Sequence, residues 1–76
     1  MTFNEVFGGA VVKDGYSMVL LMNEGLVWHA IIYRKKANDF VFCSNYDIKD
    51  GTWGQGHYCS TYSGALSELV EYLGIA

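Results

Sequence analysis

The chain has no proline, only two cysteines and only five basic residues, and no long apolar run, and each shortage excludes something. Cys43 and Cys59 are too few for a disulfide framework, and a reducing compartment would keep them as thiols packed in the interior. Five Lys and Arg against eight Asp and Glu leave a net charge of −3, whereas nucleic-acid binders gain affinity from a basic stripe that neutralises phosphates. The one basic cluster, Arg34-Lys35-Lys36, runs into Ala37-Asn38-Asp39, where a turn is expected. It reads as a solvated turn that also discourages edge pairing, and direct binding of DNA or RNA is not expected. Val19 to Met22 is too short to span a bilayer. Met1 is followed by Thr2-Phe3-Asn4-Glu5, without the basic n-region and long apolar stretch of a secretory signal, so the expected location is the cytoplasm.

What is present is the composition of a folded protein. Of the 76 residues, 51% are hydrophobic and 16% aromatic, with 17% charged, unlike disordered chains, which are poor in aromatic and β-branched residues. Surface scaling at this size buries about 60% of the extended area, enough for one core and one domain over residues 1–76. It leaves little room for a deep cleft walled on all sides.

Thr2-Phe3-Asn4-Glu5 fits a capping box and Gly8-Gly9 would end such a helix within two turns, although the segment reads equally as an extended arm. Asp14-Gly15 is a hairpin signal, and a hairpin from Val11 to Met22 is expected around it. Strands follow over Tyr16–Met22, Leu26–Arg34 and Phe40–Asn45, joined by short turns that favour an antiparallel meander over crossover units. Residues 47–56 carry three glycines and no apolar periodicity and read as a loop, and His57–Cys59 supplies a last short edge strand. Ala65, Leu66, Leu69, Val70 and Leu73 then recur at helical spacing, with Ser60 or Thr61 as the N-cap and Gly74 at the C-terminal left-handed position. The expected fold is α+β, an antiparallel meander sheet of four to five strands packed on one C-terminal helix, with a possible short N-terminal helix. Both alternating sets of side chains from Tyr16 to Asn45 are apolar, as in a sheet covered on both sides. A single helix covers one. The other needs the Gly-rich N-terminal segment, a second copy or a foreign partner.

No catalytic signature is apparent. His29, Cys43, His57 and Cys59 are acceptable zinc ligands, but zinc modules usually present two close pairs, and only His57-x-Cys59 is close. Cys59 beside His57 has the first ingredients of a nucleophile pair and lacks a visible orienting group or oxyanion hole. Gly54-Gln55-Gly56 lacks the context of a phosphate loop, and Asp47-Ile48-Lys49-Asp50-Gly51 lacks the oxygen ligands of a calcium loop. Neither an enzyme, a metal nor a cofactor is expected. The remaining signal is aromatic: Tyr46, Trp53, Tyr58 and Tyr62 lie in or beside the glycine-rich loop, next to Asp47 and Asp50. Such side chains anchor interfaces because they bury large area at low rotamer cost, and Tyr46, Asp47, Asp50, Trp53 and Tyr58 are the candidate partner-binding residues. Trp53 folding back to plug the open end of the sheet is the competing arrangement.

The stretch Tyr46-Asp47-Ile48-Lys49-Asp50-Gly51-Thr52-Trp53-Gly54-Gln55-Gly56-His57-Tyr58, followed by a helix opening at Ala65-Leu66, resembles segments of small orphan proteins of phages and mobile elements, of which the anti-CRISPR proteins are the best-known functional class. The resemblance covers about a third of the chain. It implies a stoichiometric inhibitor that binds a bacterial defence nuclease or effector in the host cytoplasm. A homodimeric assembly domain that covers its spare sheet face with its own copy is the alternative.

Overall fold

A computed structural model describes residues 11–13 and 15–74. The expected N-terminal capping box and Gly8-Gly9 lie outside the described residues. Four antiparallel strands, β1 (Tyr16–Glu24), β2 (Val27–Arg34), β3 (Asp39–Ser44) and β4 (Gln55–Cys59), form a meander in the order β1-β2-β3-β4, followed by one helix, α1 (Tyr62–Leu73). The α+β sheet-and-helix architecture agrees with the sequence reading. The expected pairing of Val11 with β1 does not: the Val11 amide donates instead to the Ile48 carbonyl at 2.7 Å. The turn before β1 is closed by the Tyr16 amide donating to the Lys13 carbonyl at 3.1 Å, and the described residues before it, 11–13, add no fifth strand.

The two apolar faces have separate explanations. On one face Ile31 and Phe42 are buried beneath Ala65 and Leu69 of α1, with Leu66, Leu73, Leu20 and Met22 around them. The helix starts where the Thr61 hydroxyl accepts the Gly64 amide at 3.1 Å and stops at Gly74, left-handed at φ 70°, whose amide bonds back to Val70 and Glu71. It lies over β3 and β4 and reaches β2. On the opposite face Met18, Leu21, Ala30, Ile32, Val41, Cys43 and Tyr46 form a second buried cluster. Among the described residues no helix covers it. Ile48 and Trp53 of the β3–β4 connection pack on it, together with Val12.

Part of the two-sided pattern comes from a bulge. The β1–β2 register runs Met18↔Ile32 and then Leu20↔Ile31, leaving Val19 as the extra residue. A bulge shifts the side-chain alternation by one, so Met18 faces the loop-covered side before it and Leu21 after it. Strict alternation read along Tyr16–Met22 therefore assigns half the strand to the wrong face.

The connection 45–54 is organised despite its glycines. Asp47 and Thr52 form an antiparallel bridge, with the Asp47 amide donating to the Thr52 carbonyl at 2.7 Å and the Gly51 amide to the Asp47 carbonyl at 2.8 Å. Gly51 is left-handed at φ 72°, and a Cβ there would stand 3.0 Å from the Val11 carbonyl oxygen, so a side chain would push the two covering segments apart.

Candidate functional site

The register gathers an aromatic and charged corner on the loop-covered face. Tyr16, Arg34 and Asp39 are successive cross-strand partners, and Tyr58 pairs with Val41 one step along. Arg34 is held by a two-pronged contact, its Nε donating to Asp39 Oδ1 at 2.7 Å and its Nη2 to Oδ2 at 2.6 Å. These bonds hold the Asp39 carboxyl below its ordinary range and raise Arg34 above its own. The guanidinium carbon lies 4.6 Å from the centroid of the Tyr58 ring, a cation–π distance. Tyr58 is nevertheless 57% exposed. A large aromatic side chain is thus presented to solvent while a fixed arginine limits its motion.

The indole of Trp53 borders this corner. It lies 5.9 Å from Tyr16 and stacks within 10° of parallel on Tyr46 at 6.3 Å. A Cβ on Gly56 would come within 2.9 Å of Trp53 Nε1 and 3.2 Å of Val41 Cγ1, so the bare backbone of β4 provides the slot in which the indole rests. Trp53 is half-buried and packs on the loop-covered cluster.

The remaining candidate residues separate by environment. Tyr46 is buried, with 3% exposure, and its hydroxyl donates to the Val11 carbonyl at 2.5 Å. Burial pushes that phenol up to about 12. Its side chain belongs to the core, 35 residues from its hydrogen-bond partner in sequence. Asp47 is exposed, but its Oδ1 accepts the amides of Lys49 at 2.8 Å and Asp50 at 3.2 Å, so it shapes a turn. Asp50 is exposed at the tip of that turn. Tyr58 therefore stands against Arg34 and Trp53 against Tyr16, whereas Tyr46 stacks on Trp53 from within the core. The sequence reading missed Tyr16, Arg34 and Asp39 as parts of one surface. The signal available was the spacing Arg34 to Asp39 across a four-residue turn, which places the two side chains opposite each other.

The four candidate metal ligands are not brought together as a set, although His57 and Cys59 share the helix-covered face, with the Cys59 thiol 3.8 Å from the His57 carbonyl oxygen. Cys43 packs in the loop-covered cluster and Cys59 against the helix-covered one, so the thiols lie on opposite faces. Burial pushes the Cys43 thiol up to about 12. Cys59 is also raised, first by burial and then by Glu68 and Asp39, the reverse of what activates a thiolate. His57 stacks on Phe42 and lies 3.7 Å from Glu68, while His29, buried on the same face, lies 3.0 Å from Glu24. Among the described residues no group of three or more His, Cys, Asp or Glu is placed to hold a metal. Also among the described residues, no helix is long and apolar enough to cross a membrane.

No family model, curated protein or solved structure matches this chain.

Proposed function

We propose that the chain is a small protein-binding inhibitor or modulator encoded by a phage or mobile element. It acts on a bacterial defence nuclease or effector, in the manner of anti-CRISPR proteins, by stoichiometric binding in the host cytoplasm, without catalysis or a cofactor. The observation that carries this reading is the exposed Tyr58 ring beneath an arginine fixed by Asp39. Preorganised tyrosine and arginine dominate binding energy at interfaces because little side-chain freedom remains to be lost on docking. Trp53 extends the aromatic surface, and Asp50 offers a carboxylate with no bond from its side chain among the described residues to the basic grooves that such effectors present to phosphate. In this reading Asp47 contributes by setting the turn, and Tyr46 by supporting Trp53 from below.

The test is phage plaquing on hosts carrying defined defence systems, with and without the expressed chain. Expression raises plaquing in at least one system, and Tyr58→Ala abolishes the rise while far-ultraviolet circular dichroism stays unchanged. Plaquing unaffected across the defence systems, or fully retained by Tyr58→Ala, counts against the reading.

One observation favours the homodimeric alternative. β1 is a nine-residue outer strand with no partner on its far side among the described residues, and it carries no charge before Glu24. Uncharged edges of that length invite pairing with another chain. Light scattering separates the two readings, since a monomer at micromolar concentration leaves only the inhibitor.

A further inference from the structure

Four of the chain's five basic residues, Lys13, Arg34, Lys35 and Lys36, lie in or directly beside two turns at one end of the sheet, although the net charge of the chain is −3. The turns are joined directly, because the Lys35 amide donates to the Gly15 carbonyl at 3.3 Å. Between them lies an open cavity of about 410 Å³ lined by Gly15, Tyr16, Arg34, Lys36 and Ala37. Among the described residues Asp39, at the start of β3, is the carboxylate beside these cations, and counting Asp14, which lies next to Lys13 in sequence, four cations still outnumber two carboxylates. Both Asp39 oxygens are engaged by Arg34 Nε and Nη2. Arg34 Nη1 and the exposed Lys36 ammonium carry no bond among the described residues, and they are the donors offered to an incoming group.

We propose that this cavity binds a short acidic peptide segment of the partner protein, with a carboxylate meeting Lys36 and Arg34 and the neighbouring side chain lying on Tyr16. This inference rests on the protein-binding reading and adds the chemistry of what is bound. A carboxylate peptide fits better than a nucleic acid for two reasons. Extended phosphate backbones require a row of cations, and here two donors converge on one cavity. Acidic groups elsewhere, including Glu24, Asp50, Glu68 and Glu71, repel a long polyanion, whereas one or two carboxylates flanked by apolar side chains meet only the basic end. The Arg34 guanidinium is positioned in advance by Asp39, so binding costs little further ordering of that side chain.

Amide chemical shifts of the full chain, titrated with an acetylated, amidated hexaglutamate peptide at low salt, test this without any defence effector. Failure here would therefore leave the plaquing result untouched, and the reverse. The expected shifts concentrate at Gly15, Tyr16 and Lys35 to Ala37 and weaken as salt is raised. Lys36→Ala weakens the affinity about three- to fivefold, the size of one partly exposed ion pair, whereas Lys49→Ala, at the basic residue outside the two turns, does not. Shifts scattered over the surface, no shifts, equal loss from Lys49→Ala, or tighter binding of a single-stranded oligonucleotide at the same amides would each overturn the assignment.

Discussion

Gly56 is the residue on which the covered face depends most closely. Its missing side chain admits Trp53, and an added methyl must displace both the indole and Val41, which is fully buried. Gly56→Ala is expected to destabilise the fold by about 1–3 kcal/mol, the usual cost of overpacking, and to shift tryptophan emission to longer wavelength; urea denaturation followed by fluorescence checks both. A second prediction concerns alkaline pH. Tyr46 and Cys43 share one buried cluster and have folded values of about 12 against ordinary values of 10.0 and 9.0. Groups raised on folding contribute stability that is fully present below their unfolded values and is lost as pH rises through the folded ones. The urea midpoint is therefore expected to fall between about pH 9 and pH 12, and less steeply in Tyr46→Phe. The types and positions of these residues can be read from the chain, but their environments cannot. Tyr46 is buried because its hydroxyl meets a carbonyl of Val11, a contact that no local pattern signals.

At the scale of elements, α1 was the most legible because apolar spacing, the Thr61 cap and the Gly74 stop all agree. Thr61→Ala removes the side chain that accepts the Gly64 amide, and a loss of about 1 kcal/mol is expected from thermal or urea unfolding. β2 and β3 were also legible, as runs of apolar residues between turn signals. The bulge at Val19 was not, since each of Met18 to Met22 is apolar and any register satisfies the pattern. The expected hairpin at Val11 failed for a similar reason: Asp14-Gly15 specifies a reversal, not which strand the preceding residues join. Residues 47–56 look structureless by periodicity, yet the Asp47–Thr52 bridge and the Asp47 turn order them through hydrogen bonds that composition does not reveal.

For the whole molecule, the α+β architecture follows from the sequence, and the excess of apolar β-surface is real. What the sequence could not assign was the cover, to which, among the described residues, Ile48 and Trp53 contribute over Tyr46 together with Val12. The proposed binding role consequently rests on the corner formed by Tyr58, Arg34 and Asp39 and no longer on a bare sheet face. Parts of that corner were visible as an aromatic-rich segment, but Tyr16 and Arg34 join it only through strand register. Hydroxyl-radical footprinting of the native chain, read by mass spectrometry at single residues, tests the arrangement most directly. Tyr58 is expected to oxidise several-fold faster than Tyr46, with Trp53 modified more slowly than in the urea-unfolded chain. If Tyr46 and Tyr58 oxidise at equal rates and Trp53 at its unfolded rate, the loop does not close the second face and the account is wrong.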